Sequence, residues 1–156
     1  MRGAWQGSHT GTVRKQYHFW PAEDGTEDGT EDETEDGTGN GTQNRFDAWD
    51  VDRLLVLTRD LPVRLVDVES ITEVDSVYWF DDTERPTVRS IVEHVRLIQE
   101  VDTSHPIILG ADGRVMDGMH RIARAMLEGR AAIPAVRLET HPEPDYRNCR
   151  PDELPY

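Results

Sequence analysis

The sequence predicts a small α+β domain preceded by an acidic arm that has no core. Three observations carry this. Strand-like and helix-like apolar patterns alternate from residue 45 onward. Forty-eight of the last 112 residues are apolar, against eight of the first 44. The middle of the first 44 residues is a four-residue repeat that cannot support packing. At 156 residues the chain has room for one domain with a sizeable core.

Residues 1–44 are expected to be a disordered low-complexity arm. Gly25-Thr26-Glu27-Asp28 and Gly29-Thr30-Glu31-Asp32 repeat, then decay into Gly37-Thr38-Gly39-Asn40 and Gly41-Thr42-Gln43-Asn44. A unit this short, Gly-rich and self-repelling gains too little burial to offset chain ordering. Residues 45–156 are expected to be the folded domain. Asp47 is placed to cap a helix reaching Thr58, with Trp49, Val51, Leu54 and Leu55 as its stripe. Val63–Val68 reads as a strand. Val77–Phe80 is short and aromatic, and Asp81–Glu84 breaks it. Pro86 opens a helix on which Val88, Ile91, Val92, Val95 and Ile98 recur at helical spacing to about Val101.

Pro106–Leu109 reads as a buried strand, Gly110–Gly113 as a hairpin turn and Arg114–Met116 as the returning strand. Asp117-Gly118 turns into a helix from Met119 to about Glu128, closed by Gly129. Ile133–Leu138 reads as a last strand. The tail from Thr140, with four prolines in residues 142–155, reads as irregular.

Thirty-one acidic against 17 basic side chains leave a net charge of −14. Clustered Lys and Arg, which phosphate backbones and anionic lipids require, are missing. Lys15 is the only lysine. Excess acid with so little lysine points to a halophilic source, the alternative being an Arg-rich codon bias with a surface kept soluble by charge. The longest apolar runs, Leu54–Leu57 and Val77–Phe80, are four residues each, far short of a membrane span. With no apolar block in the first twenty residues, a secretory leader is not expected, and the chain reads as cytoplasmic. Cys149 is the only cysteine, so neither an internal disulfide nor a multi-cysteine metal site is expected.

The chemistry concentrates in Asp117-Gly118-Met119-His120-Arg121, delivered by a hairpin onto a helix start. Gly118 lets the backbone approach a ligand, and free N–H groups at the helix start favour an anion. Arg121 sits in the first turn and can fork onto phosphate oxygens. His120 and Arg124 are four apart and share a face. Asp117 can hold a magnesium ion or orient His120. The same spacing equally describes a structural corner in which Asp117 caps the helix and Arg121 pairs with an acid.

These residues, with Pro106–Leu109, the Asp112-Gly113 turn, Ala123, Leu127-Glu128-Gly129 and Ile133-Pro134-Ala135-Val136, resemble the ParB N-terminal/sulfiredoxin-like superfamily over about residues 63–139. The Asp-Gly-x-His-Arg form is most similar to its free-serine kinase branch. The resemblance implies a small mixed sheet with flanking helices. It also implies a nucleoside triphosphate, ATP or CTP, bound with Mg2+: Gly118, His120 and Arg121 hold phosphates, and Asp117 lies beside them. Arg124 joins the candidate binding residues as the neighbour of His120. The kinase branch carries an acid before the long helix as general base, which implies Asp82, with Asp81 and Glu84 as neighbours. A small hydroxyl metabolite would then be the phosphoryl acceptor. The alternative is a noncatalytic nucleotide-switched module associated with DNA or with chromosome-partitioning proteins.

Two departures narrow this reading. Met119 stands where sulfiredoxin needs cysteine, so sulfinic-acid reduction is not expected. Sixteen residues follow Thr140, too few for the helix-turn-helix of partitioning ParB.

Overall fold

The computed structural model describes residues 15–22, 45–80 and 85–156. The elements, in chain order, are β1 (Tyr17–Pro21), β2 (Phe46–Asp50), α1 (Val51–Thr58), β3 (Arg64–Asp67), α2 (Val88–Glu100), β4 (Ile107–Leu109), β5 (Val115–Asp117), α3 (Met119–Leu127), β6 (Ala132–Arg137) and β7 (Tyr146–Cys149), with short 3-10 turns after β3 and β7. This is the α+β class that the alternating patterns predict.

The strands form two sheets, β1-β2-β7 and β3-β6-β4-β5. The first is antiparallel throughout. In the second, β4 runs parallel to β6, with β3 and β5 antiparallel at the edges. α3 is the crossover that makes the parallel β4–β6 pair possible.

The second sheet is covered on both faces. Successive strand side chains point to opposite faces. Ile107 and Leu109 therefore pack with Met119, Ile122 and Ala125 of α3, while Ile108 packs with Met116, Val136, Trp20, Trp49 and Leu54. That double burial explains the unbroken apolar run in β4. The far face of the first sheet buries Tyr17, Phe19, Phe46, Ala48, Cys149 and Leu154.

The arm reading is corrected in the first half of the arm, at residues 15–22. Tyr17–Pro21 pairs in full register with Phe46–Asp50, and Phe19 is completely buried. The strand's value lies in its long-range partners, which a low local apolar content does not report. The expected Asp47–Thr58 helix is also corrected. Phe46–Asp50 is the central strand of the first sheet, and Asp50 caps α1 by accepting from the Asp52 N–H at 2.9 Å. The tail is not wholly irregular, because β7 pairs with β2 and the Cys149 Sγ donates to the Phe46 carbonyl. Residues 1–14 and 23–44, including the repeat, lie outside the described residues.

α2 starts at Val88 rather than Pro86, closed by a reciprocal Thr87–Ser90 capping box. Its stripe behaves differently from the spacing argument. Only Ile98 is buried, while Val88, Ile91, Val92 and Val95 stay 44% or more exposed. No helix among the described residues is long and apolar enough to cross a membrane.

Candidate functional site

The β4–β5 hairpin closes where the Gly113 N–H meets the Gly110 carbonyl, and β5 then feeds α3 through Gly118. Gly118 has φ +112°, a conformation L side chains rarely adopt. A Cβ there would sit 2.6 Å from Cγ2 of the buried Ile107. The glycine is therefore required by the corner's own packing on β4. It is the N-cap of α3 and supplies no side-chain cap, so the first-turn N–H groups have no acceptor from it.

These groups border a cavity of about 410 Å³ at the junction of the two sheets. Gln16, Tyr17 and His18 line it from β1 and the residue before, Tyr78 and Trp79 from the aromatic segment, Leu97, Glu100 and Val101 from the end of α2, and Met116 to Arg121 from the corner. Arg121 is mostly buried and donates through Nη2 to Asp117 Oδ2 at 2.7 Å. Its buried Nε has no hydrogen-bond partner among the described residues. Asp117 thus neither caps α3 nor orients His120; it holds the guanidinium against the cavity wall. Glu100 adds a second carboxylate to the lining. Among the described residues no three His, Cys, Asp or Glu side chains gather into a metal-binding group.

His120 is oriented by α2. Its Nε2 lies 3.0 Å from Nδ1 of His94, and the two rings are within 16° of one plane with centroids 5.3 Å apart. That centroid distance is the contact plus two ring radii, so the imidazoles meet edge to edge through a shared N–H···N bond. Trp79 lies over both rings, 4.5 Å from His94 and 4.9 Å from His120, each at 19°. Burial, then His94 and Arg121, push His120 down to about 4, and burial lowers His94 as well. Both rings are neutral at pH 7, and one must donate to the other.

Arg124 does not join the site. Its Nη1 donates to the Gln99 carbonyl, which ties α3 to α2, and its Nε to Glu128 at the end of α3. His120 and Arg124 do share the face of α3 that meets α2, as their spacing predicts, but only His120 lines the cavity. Asp81, Asp82 and Glu84, the expected general-base candidates, lie outside the described residues. His94 and Trp79 complete the arrangement around His120, and spacing could not reveal it because the three residues come from separate elements. His18 was out of reach for a different reason, since its segment reads as arm.

Comparison with family models, with curated proteins and with solved structures finds no match for this chain.

Proposed function

We propose that the cavity at the start of α3 binds a nucleoside triphosphate, ATP or CTP, together with Mg2+. The observation that carries this reading is the uncapped α3 N-terminus opening onto a nucleotide-sized cavity beside a guanidinium held in place by Asp117. First-turn N–H groups and an Arg fork are the complement of phosphate oxygens. Cavities of 300–1,000 Å³ are typical of small-molecule sites.

The charge balance supports a metal-bound ligand. Asp117 and Glu100 outnumber Arg121 on the walls, so a bare polyphosphate would meet net negative charge. A divalent ion on the phosphates reverses that, with Asp117 as its protein ligand. Tyr17, Tyr78 and Trp79 offer aromatic surface to the base. The resemblance to the ParB N-terminal/sulfiredoxin-like superfamily points to the same corner. Transfer to a small hydroxyl acceptor would draw its general base from Asp82, Asp81 or Glu84.

Calorimetric titration with ATP and with CTP, each with Mg2+, tests the reading. Arg121→Ala should weaken binding by about 1.5–3 kcal/mol, the scale of a charge-assisted hydrogen bond. Unchanged affinity in that variant, with a native circular dichroism spectrum, refutes it; so does a parent protein that binds neither nucleotide.

A further inference from the structure

α2 carries a row of apolar side chains that the described residues leave open. Val88, Ile91, Val92 and Val95 recur at i, i+3, i+4 and i+7, one stripe of the helix, and are 82%, 46%, 59% and 44% exposed. The helix meets its own domain on another face, through the His94 ring bonded to His120 and through Ile98, its one buried residue among those described. Single exposed apolar side chains are ordinary, but four in one row are not. Helix propensity does not account for them, because β-branched residues are poorer helix formers than Glu or Arg. In a single copy these positions gain neither propensity nor burial.

The charges beside the stripe say what covers it. Arg89, Glu93, Arg96 and Glu100 follow one another at spacings of four, three and four, so they form the next row round the helix, and all four are exposed. Their order is plus, minus, plus, minus. Turned end for end, that order becomes its own complement. A second copy of α2 laid antiparallel along the whole helix brings Arg89 to the second copy's Glu100 and Glu93 to its Arg96, and symmetry repeats both contacts. A parallel copy would set like charge against like. One patch that complements itself is what a two-fold contact requires. The chain carries −14 overall, so two copies repel over most of their surface. The Arg and Glu side chains of α2 balance to zero, which makes this face one that a second acidic copy can approach.

We propose that α2 is a homodimer interface, in which two copies pair antiparallel and bury the Val88, Ile91, Val92 and Val95 stripe. In the register that matches the charges, Val95 meets Val95 of the second copy near the two-fold axis. Val92 then falls between the second copy's Val95 and Gln99, a knob in a hole. Thirteen residues make about 20 Å of helix, so the contact is small, roughly 1,000 Å² in all. The dimer is accordingly reversible, with Kd about 10–100 μM. This interface is independent of the nucleotide reading.

The test is sedimentation equilibrium of the full chain from about 5 μM to about 1 mM, a range that brackets this affinity. The parent should pass from monomer to dimer. Val92→Glu should keep the parent's melting temperature at the lowest concentration and raise the dimer Kd at least about 100-fold, because each dimer would bury two unpaired carboxylates. Val95→Cys should link to its own copy under mild oxidation. Val88→Cys, about 20 Å from its counterpart in the antiparallel register, should not. Cys149, the other thiol, is buried, and the parent controls for it. A parent that stays monomeric at the highest concentration overturns the proposal, and so does a dimer whose Kd Val92→Glu leaves unchanged. Equal cross-linking of the two cysteine variants overturns the antiparallel register. If Val92→Glu melts well below the parent as a monomer or fails to fold, the stripe is covered within its own chain, and the proposal falls with it.

Discussion

Replacing Phe19 by alanine measures whether the segment before the acidic repeat belongs to the domain. Phe19 has no exposed surface. It stacks edge-on against Phe46 at 6.0 Å, lies tilted 6.4 Å from Tyr17, and sits opposite Ala48 in the β1–β2 ladder. Removing a fully buried phenyl ring loses its transfer free energy, its aromatic pairs and the packing around the void, together about 3–5 kcal/mol. That is a large share of the roughly 5–15 kcal/mol that holds a domain of this size together. The melting temperature should fall by about 10 °C or more, and the urea midpoint should fall with little change in slope. Leu65→Ala in β3, where the side chain is 73% exposed, is the control and should cost under about 1 kcal/mol. If Phe19→Ala costs no more than Leu65→Ala, β1 contributes nothing to the native state and the two-sheet architecture is wrong.

Two further outcomes follow from the site itself. Gly118→Ala should destabilise by about 2–4 kcal/mol, because the left-handed conformation and the 2.6 Å approach to Ile107 both oppose a Cβ; a urea midpoint equal to the parent's would refute this account of the corner. Acid should also destabilise the fold. His120 and His18 sit at about 4 and about 3, below their ordinary 6.5, so the unfolded chain binds protons first. Stability is then complete above pH 6.5 and lost as pH falls toward those values, by about 2–3 kcal/mol per histidine between pH 7 and 4.5; urea melts of constant midpoint over that range would contradict buried neutral histidines.

The second sheet and its helix were legible because their signals are local. Gly110–Gly113 marks the hairpin, Gly129 takes the positive φ of a helix stop, and Ile107–Leu109 and Ile133–Val136 are apolar runs of strand length. The corner Asp117–Arg121, where β5 turns into α3, was legible for the same reason: five consecutive residues hold it. The first sheet was not, because Tyr17–Pro21, Phe46–Asp50 and Tyr146–Cys149 each make a weak pattern alone and become strands only through one another across as many as 138 residues, the span of the Tyr17 hydroxyl's bond to the Pro155 carbonyl. The Val51, Leu54 and Leu55 spacing is real, but it belongs to a helix that begins only after β2 ends.

The same division runs through the site. That Arg121 would stand in the first turn of a helix followed from order along the chain. That Asp117 would hold it, that His94 and Trp79 would fix His120, and that β1 would line the same cavity depended on where separate elements meet. Composition and spacing specify what a segment can form; which partner it finds is decided by burial and hydrogen-bond satisfaction over the whole domain, and only the tertiary structure carries that information.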